Sequence, residues 1–242
     1  MSAKNSSSNK KKQHQVSTRL ISRYLIRETL GVVLLGAILF VSAGTINWPM
    51  GWALVVLTAL WVAAMSWILI TRIPDLITER LSPKEGTKSW DVQLMGYVGI
   101  LEIARTLVAG MDYRFGWSSF NVPALQIAAL AVAALGYGLV IWAMYTNAYF
   151  SNFMRVQKER GHQVATSGPY RIVRHPAYLG SVLFELAVPI MLGSWFALIP
   201  GALAAILFII RASWEDRTLY SELKGYKEYA GKTRYILLPG IW

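Results

Sequence analysis

The chain contains no cysteine, only three histidines (His14, His162 and His175), and only 15% charged residues among its 242. Without cysteine there is no disulfide framework, thiolate nucleophile, zinc knuckle or iron–sulfur ligation, and the redox compartment stays open. The histidines are too scattered for a histidine-rich centre, so no metal is expected. No Gly-x-Gly-x-x-Gly follows a strand pattern, which removes the Rossmann phosphate loop. Acidic residues are also scarce: 13 Asp and Glu face 24 Lys and Arg, a net charge of +11. Such an excess points to nucleic acid only where it lines a water-soluble face. What is abundant is apolar: 55% hydrophobic residues and a mean hydropathy of +0.39, above the range of a soluble domain.

The apolar residues fall into runs of membrane-spanning length. Thr29 to Thr71 is free of Asp, Glu, Lys and Arg, and only the turn-forming Asn47-Trp48-Pro49 breaks it. Two spans follow, near 29–46 and 50–71, each close to the roughly 20 residues that cross about 30 Å of hydrocarbon. A third, carrying Glu102 and Arg105, runs from about Val92 to Met111. A fourth opens at Pro123 and ends near Tyr145. Pro176 to Ile210 contains one charge, Glu185, and is too long for one crossing, so Gly193-Ser194-Trp195 reads as a hairpin turn. The expected fold is an all-α, polytopic bundle of about six transmembrane helices, with the last two as a hairpin and a C-terminal cytosolic amphipathic helix.

Six crossings put both termini on one side, and the basic residues agree: 22 of the 24 Lys and Arg fall in the tail, the 72–92 loop, the 147–177 loop and the C-terminal segment. The positive charge is a topology signal toward the cytosol and needs no nucleic-acid partner. In a bacterium this implies the plasma (inner) membrane. The chain divides into a polar basic tail with an interfacial helix (1–27), spans one to four (28–146) and a functional core (147–242). Residues 1–15 read as a disordered tail, and without a small-residue cleavage site the N-terminus is expected to be retained. Arg19, Arg23 and Arg27 suit a short helix on an anionic surface, or equally a basic extension of the first span. Trp48, Trp90, Trp117 and Trp195 read as interface belts.

Residues 151–180 form a connection far longer than two spans require, and such connections are more often functional than linking. Pro176 drives His175 out of helical conformation, aiming it from the mouth of the next span. Arg171 and Arg174 flank it as a cationic site suited to a carboxylate or phosphate. Farther on, Glu215, Leu219, Glu222, Tyr226 and Tyr229 share one helical face, provided Gly225 does not interrupt it. An acidic and aromatic face closing over a basic loop suits a small zwitterion with a flat ring.

The string Gly168-Pro169-Tyr170-x-x-Val173-Arg174-His175-Pro176-x-Tyr178-x-Gly180, followed by Glu215-Asp216-x-x-Leu219 and Gly225-Tyr226-x-x-Tyr229, resembles the isoprenylcysteine carboxyl methyltransferase family, whose C-terminal signature phospholipid methyltransferases share. The resemblance implies an integral membrane methyltransferase that binds S-adenosylmethionine in a pocket of its last spans and C-terminal helix. By position, Tyr170, His175, Pro176, Tyr178, Leu179, Gly180, Glu215, Tyr226 and Tyr229 would bind the cofactor. Arg174 and Glu215 would serve catalysis, Arg174 near the cofactor carboxylate or the acceptor. The family often has two Glu where this chain has Glu215-Asp216. The implied partner is a membrane lipid or a prenylated, isoprenylcysteine-like carboxylate.

Methyl transfer from a sulfonium quenches charge, so alignment and water exclusion matter more than a strong acid or a metal. A carboxylate acceptor needs only an Arg to orient it; an amine or phenol would draw on Glu215 or His175 as base. Two other readings stand beside this one: an NADPH-dependent membrane lipid reductase and a non-enzymatic lipid-binding membrane protein. Glu102 and Arg105, at i, i+3 spacing, are expected to neutralise each other, and Glu185 to face the interior, protonated or opposite Arg105. Glu215 and Asp216 have Arg211 as a possible partner in their own helix.

Overall fold

Ser17 opens the first helix, its Oγ accepting from the Leu20 amide at 3.3 Å, and α1 (Thr18–Ala43) then runs without a break to Gly44. The computed structural model describes residues 17–118 and 122–242, so the expected polar tail lies outside the described residues. The interfacial segment expected before residue 28 is not a separate element: with no proline or glycine among residues 18–30, nothing stops the helix there, and Arg19, Arg23 and Arg27 extend the first span.

Proline again sets helix starts, since its fixed φ suits the first turn and its missing N–H is not needed there. It opens α2 (Pro49–Arg72) and, after the short α3 (Asp75–Leu81) and α4 (Ser89–Phe115), it opens α5 (Pro123–Thr146) and α6 (Pro176–Leu192). The hairpin turn then leads into α7 (Leu198–Glu222), and α8 (Tyr226–Lys232) follows. No strand occurs among the described residues. Five helices, α1, α2, α4, α5 and α7, are long and apolar enough to cross a membrane. The sixth expected crossing is the shorter apolar α6, whose 17 residues rise about 26 Å.

The tightest packing joins α5 to α6. A Cβ on Gly180 would lie 2.4 Å from the Gly136 carbonyl oxygen, and one on Gly136 would lie 2.6 Å from that of Gly180, so both positions are held to glycine by close backbone approach. Buried ion pairs tie α4 to the last two spans. Arg105 pairs with Glu185 on α6, one of the two placements expected for Glu185, and this corrects the expected Glu102–Arg105 neutralisation. Arg211 Nε reaches Asp91 Oδ1 at 2.6 Å, so its carboxylate is on α4, not at 215 or 216. In both cases an enclosed guanidinium has taken an enclosed carboxylate on a facing helix, where water competes least.

Trp48, expected at the interface, is buried and stacks on Tyr113 with ring centroids 4.3 Å apart. The order of helices gathers the start of α1, the 73–88 connection, residues 147–175 and the C-terminal segment at one end of the bundle. Side chains and backbone join them: Arg27 donates to the Arg80 carbonyl at 2.6 Å, the Lys88 amide to Met154 O at 3.0 Å, and Lys88 Nζ meets Glu222 at 2.6 Å.

Candidate functional site

Pro176 at the first position of α6 leaves His175 outside the helix at φ −127°, ψ 62°, with its ring buried. The backbone there is fastened to the C-terminal segment: the amides of Arg174 and His175 donate to Tyr235 O at 2.9 Å and Ile236 O at 3.0 Å. Gly225, in the left-handed region at φ 85°, separates α7 from α8. The single face expected for residues 215–229 is therefore corrected to two helices with a turn between them, a turn that a β-carbon would strain. That turn still swings Tyr226 and Tyr229 back into the interior.

Asp216 is the hub. Arg174 Nε and Nη2 donate to its two oxygens at 2.8 and 3.0 Å, and Tyr226 Oη donates to Oδ1 at 2.7 Å. His175 Nε2 stands 3.2 Å from the same Oδ1. An ionised carboxylate only accepts, so Nε2 carries the proton and, in the neutral ring, Nδ1 keeps the lone pair. Nδ1 faces Glu215 Oε1 across 3.9 Å, while Glu215 Oε2 accepts from Tyr178 Oη at 2.5 Å. Arg174 also donates through Nη1 to the carbonyls of Thr233 and Arg234, at 3.1 and 2.7 Å. Its three nitrogens are thus all engaged within the protein, and Arg171 is exposed; the expected cationic patch beside His175 is neutralised by Asp216.

Burial works against charge on Arg174, but the Asp216 hydrogen bonds and charge outweigh it and raise the guanidinium pKa. Burial pushes the Tyr170 phenol up, burial and the Asp216 charge push Tyr226 up, and burial lifts Tyr229 to about 12. These phenols are neutral donors at physiological pH.

A cavity of about 910 Å³ opens beside this network, at the upper end of the range for small-molecule sites. Tyr170, Arg174, His175, Pro176, Tyr178, Glu215, Tyr226 and Tyr229 line its polar end, and it continues between the helices past Phe184, Tyr137 and Trp61. Two expected residues do not line it: Leu179 and Gly180 are absent from the wall. Helical periodicity turns the cavity face to 177, 178, 181 and 184 and gives Gly180 to the α5 contact. Arg80 joins the site without having been expected there. It is buried, lines the same cavity, rests over the Phe150 ring at 5.5 Å and has no carboxylate within 4.0 Å among the described residues. No local pattern distinguished it from an ordinary basic residue of the 72–92 loop.

Fold and cavity together define a polytopic helical membrane protein with a polar chamber at one end that extends among its spans. Residues 127–221 match the model of the isoprenylcysteine carboxyl methyltransferase (ICMT) family. It is similar to protein-S-isoprenylcysteine O-methyltransferase of Saccharomyces cerevisiae, 29% identical over 117 residues, covering 43% of this chain and 47% of that one. It is also similar to protein-S-isoprenylcysteine O-methyltransferase B of Arabidopsis thaliana, 29% identical over 83 residues, covering 34% of this chain and 42% of the relative. The chain spans less than half the length of these curated relatives.

Proposed function

We propose that the protein methylates the carboxylate of a lipid or isoprenylcysteine-like acceptor at the cytosolic membrane face, using S-adenosylmethionine. The observation that carries this reading is the continuity of one cavity from a polar mouth, with an acid, an imidazole and four tyrosines, into an apolar channel among the helices. An amphiphilic acceptor needs both halves. The relatives' names, protein-S-isoprenylcysteine O-methyltransferase, supply the class of chemistry.

The residues present fit the cofactor. Glu215 keeps Oε1 without a close hydrogen-bond partner while Oε2 is tied to Tyr178, leaving a carboxylate oxygen for a cationic group. Tyr170, Tyr226 and Tyr229 offer aromatic walls. When bound, S-adenosylmethionine supplies an electrophilic methyl group on a sulfonium. The acceptor carboxylate is already ionised at neutral pH, so no side chain has to remove a proton; the protein's work is to hold, align and dry the reactants.

Arg80 is our choice for orienting that carboxylate, since it is the buried cavity arginine left without a carboxylate. Arg174 becomes a positioning residue that fixes Asp216 and the C-terminal segment. The 147–242 region forms most of the cofactor side, and α1, α2, α3 and α4 most of the acceptor side. The test is binding of radiolabelled S-adenosylmethionine to detergent-purified protein, followed by methyl transfer to N-acetyl-S-farnesylcysteine. Saturable binding that NADPH does not displace, with labelled methyl ester formed, is the expected result. Displacement by NADPH, or no binding by folded protein, rejects the proposal.

A further inference from the structure

Well below the polar mouth, the cavity wall carries a second set of polar groups that the methyl-transfer reading does not use. Arg105 and Glu185 form their pair with almost no exposure, 4% and 2% of their side chains, and Glu102 stands on the same helix facing the cavity. Two side-chain donors on this wall are buried with no hydrogen-bond partner: Arg105 Nε and Trp61 Nε1. Trp61 is held in place by stacking on Tyr137 at 4.7 Å, and Tyr137 stacks on Phe184 at 3.8 Å. The donors are therefore fixed in direction by packed rings.

Their depth follows from helix geometry. Glu185 lies nine residues beyond Pro176 on α6, about 14 Å along the axis from the polar mouth. Ionisable groups inside a membrane span are expensive and mark functional sites, and donors left unsatisfied there lose the full desolvation penalty. A purely hydrocarbon tail threading this channel would leave every one of these atoms without a partner. An oxygen at that depth would satisfy them.

We infer that the acceptor is an amphiphile bearing a hydrogen-bond-accepting oxygen, as a ketone, ester or ether, in its apolar part, received by the Arg105 and Trp61 donors. This rests on the methyl-transfer reading and narrows its substrate class. Arg105 offers Nε while its other end stays with Glu185, and Trp61 offers Nε1 from α2 across the channel. The recognised group is neutral, because Glu185 already compensates Arg105.

Direct binding to the purified, S-adenosylmethionine-loaded protein tests this with two probes: N-acetyl-S-farnesylcysteine, and an N-acetylcysteine thioether of equal tail length with a mid-chain ketone. The ketone probe is expected to bind at least about ten-fold tighter, roughly the value of one satisfied buried donor. Trp61→Phe keeps the ring and removes the donor, and should cut that preference at least about three-fold while leaving cofactor binding unchanged. Equal or weaker binding of the ketone probe overturns the inference, as does a preference that Trp61→Phe leaves intact. A wild-type protein that fails to bind S-adenosylmethionine sinks the methyl-transfer reading instead, so the two failures are distinguishable.

Discussion

Arg174 and Asp216 form a two-pronged ion pair, Nε to Oδ1 at 2.8 Å and Nη2 to Oδ2 at 3.0 Å, between the loop before α6 and the end of α7. That pair brings His175 and Tyr226 onto one carboxylate oxygen, and so holds together the polar mouth of the cavity.

Removing one member leaves the other charge nearly buried and uncompensated. Asp216→Ala should cost about 3 kcal/mol or more, read as lowered thermal stability in detergent, and should abolish S-adenosylmethionine binding. Arg174→Ala should impair methylation far more than Arg171→Ala, because Arg171 is exposed. Full activity in both arginine variants would reject that ranking.

Glu215→Gln separates binding from folding. The amide oxygen can still accept from Tyr178, so the melting temperature should hold, while the loss of negative charge should weaken S-adenosylmethionine binding about ten-fold or more. Unchanged affinity in a cofactor titration would remove Glu215 from the site.

Arg80→Gln should leave cofactor affinity intact and raise the KM of a carboxylate acceptor at least about ten-fold. A matching methyl-ester competitor, which lacks the charge, should bind the variant and the parent equally. An unchanged KM assigns the acceptor carboxylate elsewhere.

His162 stacks on Tyr149 at 4.4 Å, and its Nδ1 accepts from the Gln157 amide at 3.2 Å. Burial, with Arg160 and Arg155 adding to it and Glu159 opposing, depresses its pKa to about 4. The unfolded chain then binds more protons than the folded one between about pH 6.5 and 4. Stability present above pH 6.5 is lost as pH falls through that window. Replacing His162 by Gln should flatten the pH dependence of the melting temperature there; an unaltered slope contradicts the assignment.

Much of the fold was legible because the membrane imposes it locally. A run such as Thr29 to Thr71, free of Asp, Glu, Lys and Arg and punctuated by Asn47-Trp48-Pro49, states its own spans. The motif residues were legible as a cluster too, since Pro176 alone dictates that His175 leaves the helix. What stayed hidden depends on which faces meet. Arg105 had Glu102 one turn away yet bonds Glu185, 80 residues along the chain; sequence spacing favoured the first and left the second as one of two placements for Glu185. Gly180 sat inside the motif, but its role is set by Gly136 on a neighbouring helix. Arg80 became visible only once the cavity wall was assembled around it.

The Asp91 carboxylate holds Arg211 on α7 and also accepts the Met154 amide at 2.7 Å, while the same guanidinium donates to Asn152 O at 2.8 Å. One clasp thus locks two helices and the start of the 151–175 segment, so that side of the chamber is a fixed jamb. The stretch from Thr233 to Ile236 is tied in turn to the loop before α6, through the Arg174 and His175 amides and the Arg174 guanidinium, so the two segments of chain that bear the motif residues are fixed to each other.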